Sequence, residues 1–401
     1  MLREVNVSLC LGAALAIAGT CSQAQSPEAN ANVAAATSTP VAYVYVASKP
    51  KNSSTNEVVA YAAAGNGGLT AIAGSPFREN VESMAVNGKY LMAVSKTTPD
   101  INTFLIGSNG ALTYKTATDY AKYNSNSSDC GSAGQVFFDH TGTTLYVQEF
   151  DGTSACSNDL IASFSVVKTT GALTYLGDAV DGNFPGIYTH ADFIGNNGFA
   201  YAGVDSSCMY YAIYGFKRAS NGLLNGLGPN IVKSTPKPPS SFSGYVPAIS
   251  TADPTNHLAV VEQPANPPGC ATGALQLATY TVDGSGNVST TSTYANMPAT
   301  SIVSVTDMKM APSGKLVAVA GNEGLQVFHF NGASPTTKYT GLLTTTHINQ
   351  MFWDNANHLY AISQSTGKLY VFTITPTGYS QAPGSPHTIA TPNSIIVQPH
   401  S

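Results

Sequence analysis

The chain has 401 residues and a formal net charge of −5, with only 10% of its residues charged. Its cations include just three arginines, Arg3, Arg78 and Arg218, which excludes the basic surface that nucleic-acid binding requires. With 37 glycines, 23 prolines and 21 tyrosines, the composition is that of an all-β protein with many turns.

Met1 to Glu4 precede an apolar run from Val5 to Gly19, and the small residues Ser22 and Ala24 then suit signal peptidase. Residues 1–24 therefore read as a secretory signal, and the expected location is outside the cytoplasm, in the periplasm or beyond. The run is too short for a comfortable span, and no later stretch approaches the ~20 apolar residues of a transmembrane helix. Lipid attachment at Cys21 is the weaker reading, because Ala18-Gly19-Thr20 lacks the usual aliphatic residue and a small neighbour to the cysteine. Residues 25–39 are mostly Ala, Asn, Ser, Thr and Pro and read as a flexible leader. Residues 40–401 form the folded part, longer than the usual single core, so either two domains or a repeat architecture is expected.

A β-branched and aromatic segment recurs at Ala42 to Ser48, Tyr90 to Ser95, Thr144 to Glu149, Phe199 to Val204, His257 to Glu262, Lys315 to Ala320 and His358 to Ser363. Successive copies start 43 to 58 residues apart, the length of four short strands with their loops. Each copy is followed by a hairpin with a Gly-containing turn, such as Gly67-Gly68, Asn109-Gly110 or Thr170-Gly171. All but the first are preceded by a further strand, such as Glu82 to Val86. The last such strand, Asn393 to Val397, has no following partner, whereas Ala42 to Ser48 has no preceding one. The two half-repeats complete each other, which predicts a seven-bladed β-propeller of four-stranded antiparallel blades, closed by the C-terminal strand.

The phrases Tyr43-Val44-Tyr45-Val46, Gly74-Ser75-Pro76-Phe77 and Gly384-Ser385-Pro386-His387, with the Gly-Ala-Leu-Thr turns at Gly110 and Gly171, carry a family resemblance. Over residues 42–399 the chain resembles the seven-bladed propeller lactonases, which include 6-phosphogluconolactonase-like proteins and the related YVTN repeats. The resemblance implies the fold and, as an activity, lactone hydrolysis. The matching residues are strand and turn positions, so no catalytic signature carries over, and fold alone does not determine function. Scarce arginine also departs from what a phosphorylated lactone would require.

In this architecture the loop after each second strand and the loop entering each first strand share one face, called upper here. Cys130, Cys156, Cys208 and Cys270 all map to it, and in an exported chain they are expected as disulfides, Cys130 with Cys156 and Cys208 with Cys270. A tetrathiolate zinc site lacks any Cys-x-x-Cys spacing in its support. Aligned innermost strands give a polar column of Ser83, Gln135, His190, Asp307, Gln350 and Ser394, with Ile249 as the exception. Two residues on come Asp192, Thr251 and Lys309. Strand alternation places His190 with Asp192, and Asp307 with Lys309, on the side facing the central channel. His190 and Asp307 are the catalytic candidates, and Gln135, Asp192, Lys309 and Gln350 the ligand-binding ones. The competing reading is a wet channel whose polar groups bond to water and to one another. Glu149, Asp151, Asp205, Glu262 and Glu323 collect near the upper rim, but on separate blades they read as solvated charges rather than a calcium site. Tyr210, Tyr211 and Tyr245 could stack on sugar rings. No metal or cofactor is expected. The residues by themselves point to a ligand-binding or protein-interaction scaffold, working through the upper face and channel on a small molecule, a carbohydrate or a protein. The resemblance points instead to a lactone hydrolase.

Overall fold

The computed structural model describes residues 39–95, 98–123, 133–149, 160–180, 187–188, 191–206, 210–228, 231–266 and 273–400. Seven antiparallel sheets are present, one per blade. Blade one runs, from outside inward, Leu69–Ala71, Glu57–Ala63, Ala42–Ser48 and Pro392–Pro399. The C-terminal strand is thus the innermost strand of the first blade, with Val44 opposite Val397, Tyr45 opposite Ile396 and Val46 opposite Ile395. Ring closure is the pairing expected from the two half-repeats. No helix among the described residues is long and apolar enough to cross a membrane.

The recurring Tyr-rich strand is apolar on both faces because each blade is sandwiched between two others. In Ala42–Ser48 every residue is buried. Val44 and Val46 pack with Ile362, Leu369 and Val371 of blade seven, whereas Tyr43, Tyr45 and Ala47 pack with Met84, Leu91 and Phe104 of blade two. A tyrosine can be buried there because its hydroxyl reaches the Gly turn of the next blade. Tyr45 Oη donates to the Gly110 carbonyl at 2.8 Å, Tyr146 Oη to Gly222 at 2.7 Å and Tyr201 Oη to Gly286 at 2.9 Å. The turn must be glycine for two reasons. Gly222 has φ +102°, in the left-handed region, and a Cβ there would stand 2.3 Å from Thr144 Oγ1. The Tyr and Gly repeats in the sequence are therefore two halves of one joint between blades.

Outside blade five, the segment entering its first strand runs parallel to the outermost strand. Val232 bridges Val288, Lys237 bridges Thr293, and the Lys233 N–H donates to the Val288 carbonyl at 2.8 Å. This strap covers an edge that would otherwise offer unpaired backbone groups.

Candidate functional site

The inner strands surround a cavity of about 1050 Å³ along the propeller axis. Gln135, Asp192, Asp307, Lys309 and Gln350 all line it, with Ser83, Thr251 and Ser394. Strand parity thus brings residues of blades three, four, six and seven to one channel. His190 lies outside the described residues, as do Cys130, Cys156, Cys208, Cys270 and Asp151.

Among the described residues, polar side chains of the inner strands have a structural use at four blade joints. An inner strand turns one backbone edge toward the channel, and its N–H groups need acceptors. Ser83 Oγ accepts the Val136 N–H at 3.2 Å, and Thr251 Oγ1 accepts the Met310 N–H at 3.1 Å. Asp307 Oδ2 accepts the Met351 N–H at 2.7 Å, and Gln350 Oε1 accepts the Ile395 N–H at 2.7 Å. In each case a side chain of one blade clasps the inner strand of the next. Met308 and Met351, of opposite parity, are fully buried between blades.

This arrangement divides the candidates. Asp307 is buried, its second oxygen accepts the Met308 N–H at 2.8 Å, and the Lys309 ammonium stands 3.8 Å from that oxygen. Both carboxylate oxygens of Asp307 are thus committed to backbone N–H groups. Gln350 likewise spends its carbonyl on the clasp. Gln135 is exposed to the channel, Lys309 is partly exposed, and Asp192 is half-buried between the buried Ala191 and Phe193. All three line the same cavity.

The two ends of the channel differ. Opposite the upper face, turns of neighbouring blades are tied to each other: Gly88 N–H to Gln398 Oε1 at 2.7 Å, Asn87 Nδ2 to the Gly142 carbonyl at 2.9 Å, His140 N–H to Asn197 Oδ1 at 3.0 Å, and Gly195 N–H to the Thr255 carbonyl at 2.7 Å. The upper mouth carries Lys49, Glu82 and a set of amides that sequence reading passed over. Gln364 Nε2 donates to Asn393 Oδ1 at 2.6 Å, and the Gln364 N–H donates to Asn349 Oδ1 at 2.7 Å. Amides at the loop ends flanking inner strands have no pattern of their own, so only the ring geometry reveals them.

Glu262 and Glu323 do not line the cavity. Glu262 is not a rim charge but a buried residue within His257–Ala265. Its Oε1 accepts from Tyr280 Oη at 2.7 Å, and burial pushes its carboxyl up to about 8. Glu323 Oε2 accepts the N–H groups of Val303 and Ser304, at 2.8 and 3.2 Å, and so shapes a loop. Among the described residues no group of three or more His, Cys, Asp or Glu is placed to hold a metal ion. Tyr245 is buried with its hydroxyl on Gln276 Oε1 at 3.0 Å, which leaves no ring face for a sugar.

No family model and no curated protein matches the sequence. Solved structures do resemble the fold. A protein of Bacteroides fragilis provisionally named a 6-phosphogluconolactonase aligns with TM-score 0.63 at 12% identity, over 90% of this chain and 99% of its own. One from Bacteroides uniformis with the same provisional name gives 0.62 at 12%, over 89% and 99%. The periplasmic gluconolactonase of Pseudomonas aeruginosa gives 0.59 at 11%, over 89% and 99%. At such identities the shared property is the seven-bladed ring.

Proposed function

We propose that this chain is an exported lactone hydrolase whose site is the upper part of the central channel. The observation that carries the reading is the convergence of Gln135, Asp192 and Lys309, from three different blades, on one cavity of about 1050 Å³. A concave site with a few converging polar groups is where a small ligand binds. The propeller lactonases that share the fold support hydrolysis over a purely scaffolding role.

The chemistry needs little equipment. A lactone is an activated ester, and water attacks its carbonyl carbon once a base removes a proton. Asp192 is the base in this reading, and the Lys309 ammonium stabilises the oxyanion of the tetrahedral intermediate. Collapse of that intermediate breaks the ring C–O bond. The departing alkoxide takes the proton back, leaving a hydroxy acid that ionises in water. Asp307 and the Met351 N–H hold the strand on which Lys309 stands against blade seven, so they position the cation without touching the substrate.

The test is a panel of γ- and δ-lactones followed by proton release at constant pH. Asp192→Asn should lower kcat by about 100-fold or more with an unchanged melting temperature. No turnover above the spontaneous rate with any lactone would return the protein to the class of non-catalytic binding propellers.

A further inference from the structure

We infer that the channel favours lactones bearing an apolar arm, with the ester on one half of its wall and the arm along the other. The inference rests on the hydrolase reading and adds the class of substrate. In blades two to seven the hairpin between the two inner strands closes on one backbone N–H, that of Asn87, Asp139, Ile194, Asp253, Ala311 or Asp354. The residue two before it stands at a common depth in each blade and lines the cavity: Ala85, Phe137, Asp192, Thr251, Lys309 and Phe352. In blade one Ile396, opposite Tyr45, takes that place. Around the ring this layer falls into two continuous arcs. Blades seven, one, two and three contribute Phe352, Ile396, Ala85 and Phe137, all apolar, whereas blades four, five and six contribute Asp192, Thr251 and Lys309, all polar.

The apolar arc is a surface as well as a seam, because Phe137 and Phe352 remain partly exposed. Phe352 packs against the apolar clusters on both sides of blade one, the second of which contains Ile396. Phe137 stacks on Tyr146, with ring centroids 5.3 Å apart and planes at 26°, which fixes it in the wall. Water against such a wall lacks hydrogen-bond partners, so an alkyl group that displaces it gains binding energy. Asp192 and Lys309 bound the polar arc, and the hydrolysis is assigned to this pair; Thr251 between them is spent on the Met310 N–H. An ester carbonyl held at Lys309 therefore leaves the rest of the substrate to cross the channel, where this layer offers carbon surface and no polar side chain. The division also gives the substrate one orientation, since the reversed pose would set the arm on the charged side and the ester on the phenylalanines.

The experiment measures kcat/KM, divided by the spontaneous rate, for δ-valerolactone and its homologues with a methyl, propyl or pentyl arm on the carbon beside the ring oxygen. The full mature protein is used, with each lactone kept below the concentration at which it self-associates. The expected result is a rise of about two- to fourfold for each added carbon, and so of at least about 30-fold from δ-valerolactone to the pentyl homologue. Phe352→Ala should lower that increment and Phe352→Leu should retain it. The increment is a ratio within one protein, so partial loss of folded material leaves it unchanged. A wild-type series that falls or stays within about fivefold would overturn the inference while leaving the hydrolase intact. So would an increment that Phe352→Ala does not lower. Hydrolysis of none of these lactones, nor of any other in the panel, would remove the hydrolase reading and this inference with it.

Discussion

Asp307 of blade six accepts the backbone N–H of Met351 of blade seven at 2.7 Å, so an acid in the channel wall belongs to the joint between blades. Its other oxygen holds the Met308 N–H, and both bonds are to a buried charged group, worth about 1.5–3 kcal/mol each. Asp307→Ala should therefore destabilise the ring by about 3 kcal/mol, read as a shifted denaturant midpoint. Gln350→Ala, which removes a neutral clasp, should cost about 1 kcal/mol. Equal stability of wild type and D307A, with turnover lost, would make Asp307 a catalytic group instead.

The tyrosine joints give a graded pair. Tyr146→Phe deletes the bond to the Gly222 carbonyl and should cost about 1 kcal/mol. Gly222→Ala should cost more, because it combines a left-handed φ with a clash against Thr144 Oγ1. Thermal melts of the two variants decide the order.

Removal of Pro392–Pro399 should open the ring at blade one. The strand is the sole sheet partner of Ala42–Ser48 on its inner side, and its loss bares a long apolar edge. Light scattering should show aggregates at temperatures where the intact chain is dispersed. A truncated chain that stays dispersed and melts at the same temperature would contradict closure by this strand.

Glu262 predicts the pH dependence. Burial raises its carboxyl from the ordinary 4.5 to about 8, so the native state holds a proton that the unfolded chain releases. The stability linked to this proton is complete below 4.5 and declines as pH rises through 8, by up to about 1.4 kcal/mol per pH unit between those values. Glu262→Gln, which stays neutral, should flatten that slope and raise stability at pH 8. Unfolding titrations from pH 5 to 9 compare the two slopes, and parallel curves would mean that Glu262 is ionised in the fold.

The blade repeat is legible in the sequence because its signals are local: apolar strands like Ala42–Ser48 recur, and the Gly turn that receives Tyr45 has counterparts at Gly222 and Gly286. The closing strand is legible by elimination, since Asn393 to Val397 and Ala42 to Ser48 lack partners in sequence. Strand parity also brings Asp192, Asp307 and Lys309 to the channel. What parity cannot provide is the use of each group. Asp307 and the Met351 N–H are 44 residues apart, and nothing near Asp307 marks it as a clasp rather than a base. Glu262 ends an apolar strand and reads as a rim charge, yet the sheet continues to Ala265 and encloses it. The amides Asn349, Gln364 and Asn393 meet only when blades seven and one are joined.

The placement of the lactone is tested most directly by a crystal grown with a non-hydrolysable lactam analogue of gluconolactone. The expected electron density lies in the central channel, with the ring carbonyl in hydrogen-bond reach of Lys309 Nζ and a water between its carbon and Asp192. An analogue bound outside the channel, or a channel holding only water in a protein that hydrolyses the lactone, would contradict the assignment.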